Sequence, residues 1–239
     1  MSKGYLYIVS NNVGGVSETD YIREAIYSAK SLKKVDKNAK ICLITDRPIK
    51  NDIFDTILIR EMSIRCKPYY LLHSPYDKTI YIDSDTYINH NIDDLFEVLD
   101  KYDVAMIHDY ARKRIFPIPE YMKIPTCFSE VNGGIMAYKK NDRITNLINK
   151  WKHYYEKYKK VVIWDQPSLR IALWESDALL FILPNEYNRR GKHTKQKCIN
   201  CRKSGDKRFP KDHLKTRIFH FHGLEKLDQK GKENHAQHF

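Results

Sequence analysis

The sequence predicts an α/β fold in which a mixed, mostly parallel sheet is flanked by helices. Three observations point there. Short apolar runs rich in β-branched and aromatic residues, such as Tyr5-Leu6-Tyr7-Ile8-Val9-Ser10 and Ile41-Cys42-Leu43-Ile44-Thr45, recur along the chain, as they do in strands covered on both faces. Amphipathic segments with helical spacing alternate with them, which is the order that builds a parallel sheet with covering helices. The length, 239 residues, suits one domain with a substantial core.

The first strand, from Tyr5, leads into a Gly14-Gly15 loop. Ser17 and Asp20 resemble a capping pair, so a helix is expected to start near Ser17 and to bury Ile22, Ala25, Ile26, Ala29 and Leu32. Strands follow at Ile41–Thr45 and Thr56–Ile59. Thr79-Ile80-Tyr81-Ile82 is the next, and it stops in Asp83-Ser84-Asp85. Asp93-Asp94 suit the start of a helix through Leu95, Phe96 and Leu99 by their charge alone. Val104–Ile107 and Ile135–Tyr138 are further strands, separated by a loop holding Pro117, Pro119 and Pro125. Helices are expected from about Asp142 to Tyr158 and from near Asp165. Leu179–Ile182 and Arg217–Phe221 are the last strands. Residues 1–229 are read as one domain, and 230–239 as a polar, disordered tail.

Composition sets limits on location and partners. No apolar stretch reaches 18 residues, and no signal-peptide architecture precedes the first strand, so the expected location is cytoplasmic, or peripheral at a membrane surface. Five scattered cysteines suit buried thiols in a reducing compartment. The net charge of +12 is strongly localised: between Asn188 and Arg217 twelve Lys or Arg face two Asp, so +10 lies in that segment. The glycines at 191 and 205 and Pro210 mark 188–217 as a mobile basic loop that meets an anionic partner. Within it Cys198 and Cys201, flanked by His193 and His213, have the spacing of a weak candidate zinc site.

Four motifs carry the chemistry. Asp83 and Asp85 emerge together where a buried strand ends, the edge at which ligand crevices of open α/β sheets lie. Their oxygens suit Mn²⁺ or Mg²⁺, ions that share their shell with substrate phosphates. Glu130-Val131-Asn132-Gly133-Gly134 places two glycines before a strand, where backbone can approach a ligand, with Asn132 as donor and acceptor. Trp164-Asp165-Gln166-Pro167 puts a polar pair at a helix mouth, where Asp165 could equally be an N-cap. His220-Phe221-His222-Gly223-Leu224-Glu225-Lys226 closes the last strand, with His222 on the face opposite His220.

In their order these motifs resemble the GT-A glycosyltransferases, most closely the family 8 group that includes glycogenin and bacterial lipooligosaccharide galactosyltransferases. The resemblance spans about Tyr5 to Lys226 and implies a GT-A fold. It further implies that Asp83, Asp85 and His220 ligate Mn²⁺, with Mg²⁺ as the alternative, and that Lys226, with Gly223, meets the diphosphate of a UDP-hexose. Val9, Ser10 and Asn11 would then hold the nucleoside. Lys67 or Arg65 would reach the phosphates or sugar, Ser84 would sit at the donor, and Asn132 and Gly133 would lie near the sugar. Asp165 and Gln166 become the catalytic pair, placed beside the anomeric carbon.

The reaction so implied is transfer of a hexose to a hydroxyl acceptor with retention. Two other classes stay open: a nucleic-acid-binding module built on the basic segment, and a metal-dependent nucleotidyltransferase. The carboxylates favour an enzyme. The basic segment favours an anionic acceptor, whether a glycan, a lipid surface or a nucleic acid.

Overall fold

The structure, a computed structural model, describes residues 1–10, 20–62, 67–109, 116–190 and 215–220. A seven-stranded sheet is built from β1 (Lys3–Val9), β2 (Ile41–Thr45), β3 (Thr56–Ile59), β4 (Lys78–Ile82), β6 (Val104–His108), β7 (Val131–Lys139) and β8 (Leu180–Ile182). Their order is β3-β2-β1-β4-β7-β6-β8. All neighbours pair in parallel except β7, which is antiparallel to both β4 and β6.

Side-chain alternation along the strands explains the two covering layers. Tyr5, Tyr7 and Val9 of β1, with Ile41 and Leu43 of β2, face a core closed by α1 (Tyr21–Val35) and α3 (Asp94–Lys101). Leu6, Ile8, Cys42 and Ile44 face the opposite core, against α5 (Asp142–Tyr158) and α6 (Gln166–Trp174). Each layer hides the apolar stripe of its helices, Ala25, Ala29 and Leu32 on one side and Leu147, Ile148 and Trp151 on the other. Among the described residues no helix is long and apolar enough to cross a membrane.

Two features of this topology build the site. The chain runs from β1 outward to β2 and β3 and then returns to β4 on the other side of β1, so the sheet has a switch point between β1 and β4. The reversed sense of β7 brings its starting end to the edge where β4 and β6 finish, so Asp83, Asp109 and residues 130–134 meet there. A second sheet joins β5 (Thr86–Ile88), β10 (Ile218–His220) and β9 (Arg189–Arg190). Its register places His220 opposite Thr86, one residue past Asp85, and beside Arg190.

Several boundaries differ from the sequence expectation. Helix α1 starts at Tyr21 because Asp20 is itself the cap, its carboxylate accepting from Arg23 N at 2.9 Å; Ser17 lies outside the described residues. Asn132, Gly133 and Gly134 lie inside β7, not before it. They fall where the pairing with β6 steps from Met106–Met136 to Ile107–Asn132, a bulge that frees them to face the cleft. The ends of the segment read as a mobile loop are packed: Asn188 and Arg189 are buried, and Arg189 donates to Thr216 Oγ1 at 2.9 Å. Strands β5 and β10 hold those ends. Residues 191–214, with the candidate zinc ligands, and the tail from 221 lie outside the described residues.

Candidate active site

A cleft of about 310 Å³ opens at the shared strand edge, lined among others by Lys67, Asp83, Asp109, Glu130, Asn132, Asp165 and Gln166. Where Asp83 lines the cleft, Asp83, Asp85 and His220 each offer one potential ligand atom, all within 4.8 Å of one another. His220 Nε2 is 3.0 Å from Asp85 Oδ1 and 3.9 Å from Asp83 Oδ2. Two carboxylates and an imidazole form an O, O, N donor set that could hold a divalent cation.

Positive charge already answers these carboxylates. Lys67, at the start of the short helix α2 (Lys67–Tyr70), puts Nζ 3.0 Å from Asp83 Oδ1 and donates to Gly133 O at 3.2 Å. Burial pushes the Asp83 carboxyl up, but the Lys67 ammonium, His220 and the Tyr81 hydroxyl outweigh it and hold it at about 2. Asp83 is thus an anion set up to meet a cation.

Gly134 is required by space. A Cβ there would lie 2.6 Å from His220 Cε1, 2.8 Å from Asn132 Oδ1 and 2.9 Å from Asp83 Oδ2. Gly133 has room, its nearest neighbour being Lys67 Nζ at 3.7 Å. Gly134→Ala should therefore lower turnover about 100-fold by displacing the ring or the carboxylate. Gly133→Ala should stay within a few-fold of wild type. Equal rates for the two variants in a transfer assay would refute the difference.

Across the cleft Asp165 and Gln166 open α6. Asp165 occupies the N-cap position without capping: its side chain makes no cap hydrogen bond, and its buried Oδ2 has no hydrogen-bond partner among the described residues. Trp151 Nε1 pins it through its carbonyl at 2.9 Å. Gln166 Nε2 donates to Asp109 Oδ2 at 2.9 Å and to Glu130 Oε2 at 3.2 Å. Burial raises the Glu130 carboxyl, and the Asp109 charge adds to this against the hydrogen bonds from Tyr121 and Gln166.

The remaining expected site residues separate into two groups. Asn132 is buried in the cleft wall beside Gly133. Val9 and Ser10 stand at the end of β1, where Ser10 Oγ donates to Asp46 Oδ2 at 2.7 Å. Ser84 is not in the cleft: it alternates away from Asp83 and Asp85, and its hydroxyl donates to the buried Glu24 at 3.2 Å. Asn11, Arg65, Gly223 and Lys226 lie outside the described residues.

Asp109, Asn188 and Arg190 were not singled out from sequence, and Glu130 only as part of its motif. Asp109 follows the apolar run Val104–Ile107 much as Asp83 follows β4. That grammar could have revealed it.

Comparison with known proteins gives this geometry a family. Residues 77–234 match the model of the nucleotide-diphospho-sugar transferase family, well over half of the chain. No curated protein matches the sequence. Among solved structures, the galactosyltransferase LgtC in complex with donor and acceptor sugar analogs is similar at a TM-score of 0.60 and 12% identity, covering 98% of this chain and 93% of that one. The glycosyltransferase GlyE of Streptococcus pneumoniae TIGR4 is similar at 0.62 and 17%, covering 96% of this chain and 56% of its own length. For the bifunctional glycosyltransferase WbbM the values are 0.56 and 15%, with 93% and 46% covered. The nucleic-acid-module and nucleotidyltransferase readings give way to this result. The chain belongs to the nucleotide-diphospho-sugar transferase family and is a GT-A-fold glycosyltransferase related to family 8.

Proposed function

We propose that the protein transfers a hexose from a UDP-linked donor to a hydroxyl acceptor, with retention at the anomeric carbon and with Mn²⁺ held by Asp83, Asp85 and His220. The observation that supports it most is the set of three ligand atoms within 4.8 Å, one of them on Asp83 in the cleft that Asp165 also lines, where the buried Asp165 Oδ2 has no hydrogen-bond partner among the described residues. A nitrogen in the donor set favours Mn²⁺ over Mg²⁺. When bound, the ion would offset charge developing on the departing diphosphate.

The chain's own residues do the rest. Lys67 and Arg190 bring positive charge to the same wall. Asp165 Oδ2 accepts from a hydroxyl of the transferred sugar, and Gln166 turns its amide oxygen toward the anomeric carbon. Both stabilise the positive charge that grows there more than they stabilise bound substrate. With retention the departing phosphate takes the acceptor proton, so no strong base is needed. Val9 and Ser10 stand at the nucleoside end. Gly223 and Lys226, by family pattern, close on the diphosphate. The twelve cations between Asn188 and Arg217 steer an anionic acceptor, a charged glycan or a glycan presented on a lipid surface.

A thermal-shift panel of UDP-, GDP- and CDP-sugars with and without Mn²⁺ tests this reading. Mn²⁺ with a UDP-hexose should give the largest stabilisation, about 2.7 kcal/mol at a hundred times the dissociation constant. Chelator should abolish transfer, and the product anomer read by NMR should match the donor. Full activity in excess chelator, or a GDP-sugar preferred over every UDP-sugar, would refute it.

A further inference from the structure

Four buried polar side chains connect the cleft floor to the candidate ligand cluster: Asp109, Asn132, Asn188 and His220. Asn132 Nδ2 donates to Asp109 Oδ2 at 3.1 Å, Asn188 Nδ2 donates to Asn132 Oδ1 at 2.9 Å, and His220 Nδ1 is 2.8 Å from Asn188 Oδ1. The direction of every link follows from the first. A carboxylate accepts and cannot donate, so Asn132 must turn its NH₂ to Asp109 and its oxygen the other way. That oxygen is fixed a second time, because it accepts Gly134 N–H at 2.9 Å. Asn188 must then present NH₂ to Asn132, which leaves its own oxygen toward His220. Only a ring carrying its proton on Nδ1 satisfies that oxygen. Turning either amide would set two oxygens 2.9 Å apart, or a donor against a donor, in a place closed to water.

We propose that Asp109 acts as a positioning residue for the metal site: through Asn132 and Asn188 it fixes the proton of His220 on Nδ1 and so points the Nε2 lone pair at Asp83 and Asp85. This rests on the reading of those three residues as metal ligands. The lone pair faces two carboxylates, at 3.0 Å and 3.9 Å, with Arg190 Nη2 at 3.1 Å. Alone, Asp85 would draw a proton onto Nε2. With Nδ1–H committed, Nε2 keeps its lone pair, which Arg190 Nη2 meets at 3.1 Å and which a cation held by Asp83 and Asp85 would take up. The relay therefore converts a buried histidine into a ligand with one orientation and one tautomer.

The same carboxylate has a second branch. Gln166 shares its NH₂ between Asp109 Oδ2 and Glu130 Oε2, so its amide oxygen is turned away from both. Asp109 thus orients a residue on each side of the cleft.

Two measurements that need no turnover test the relay on the full chain. Ring ¹⁵N shifts of histidine-labelled protein, read without metal at a pH where the ring is neutral and assigned through His220→Gln, report the tautomer. Electron paramagnetic resonance of free Mn²⁺ reports the affinity. Wild type should carry the proton on Nδ1. Asp109→Leu removes the acceptor that fixes Asn132, so it should give a mixture of tautomers and bind Mn²⁺ roughly 10- to 100-fold more weakly. Asn188→Leu should do the same, whereas Asn188→Asp keeps an acceptor for Nδ1–H, though it sets an oxygen against Asn132 Oδ1, and should bind Mn²⁺ more tightly than the leucine variant.

A wild-type proton on Nε2 would overturn the proposal without any variant. So would an Asp109→Leu protein whose tautomer and Mn²⁺ affinity are both unchanged, or Asn188→Leu and Asn188→Asp variants that bind the ion equally. A tautomer that responds as stated in a protein that binds no Mn²⁺ would uphold the relay and refute the metal reading instead.

Discussion

Asp85→Ala is expected to lower transfer by about 1,000-fold or more while the protein stays folded. On the proposed reading Asp85 is one of three residues that would hold a divalent cation, and its loss would remove several kcal/mol of stabilisation of the departing diphosphate. At about 1.4 kcal/mol per decade, a loss of that size is three or more orders of magnitude. Stability should not fall with it. The Asp85 side chain is about one-fifth exposed and faces Asp83 across the same gap, so removing it relieves repulsion in the metal-free state. Asp83 differs. It is tied to Lys67 and accepts from Tyr81 OH at 2.5 Å, so Asp83→Ala should also lower the melting temperature. Turnover, Mn²⁺ affinity and melting temperature measured on both variants separate these effects. An Asp85→Ala enzyme within tenfold of wild type would remove the metal site from the mechanism.

The sheet was legible wherever apolar residues run on continuously, even in the half-exposed edge strand β3. The expected ranges of β2, β3 and α5 coincide with the observed ones, because apolar continuity and helical period are local signals. The chemistry at the end of β4 was legible for a similar reason: an apolar run that halts in two carboxylates is written in consecutive residues. Strands β5 and β9 were not. They have three and two residues, and only pairing with β10, over a hundred residues from β5, makes them strands.

This long-range pairing also hid two site residues. Asn188 and Arg190 sit in a run of positive charge that looks like a solvated loop, and only the register of β9 beside His220 turns them inward. The bulge in β7 was hidden as well. Two adjacent glycines advertise close approach but not whether the strand starts before or after them.

Replacement of Arg170, which lies behind the cleft on α6, by methionine should cost about 3–5 kcal/mol of stability. Arg170 is buried on α6, where Nε donates to Phe128 O at 2.8 Å, and Nη2 to Pro125 O at 3.1 Å and, at longer range, to Ile124 O. Nη1 reaches Tyr121 O at 3.4 Å, and the guanidinium lies 4.3 Å from the Tyr121 ring centroid. It thereby closes the segment from α4 (Pro119–Lys123) to Phe128 over a small apolar cluster of Phe116, Ile118, Tyr121, Ile124, Val162 and Ile171. Methionine fills much of the volume but leaves those carbonyls without a donor, so the loss is mainly of hydrogen bonds in a dry site. For a chain of this size it corresponds to a fall of roughly 10 °C in melting temperature. Arg170→Lys should lie between, since one ammonium cannot serve carbonyls spread around a planar fork. Turnover should fall too, because Tyr121 OH donates to Glu130 Oε1 at 2.9 Å, and Glu130 in turn holds the Gln166 amide. A methionine variant that melts within about 2 °C of wild type would show that the segment is held by its apolar cluster alone, and the route from Arg170 to Gln166 would then carry no load.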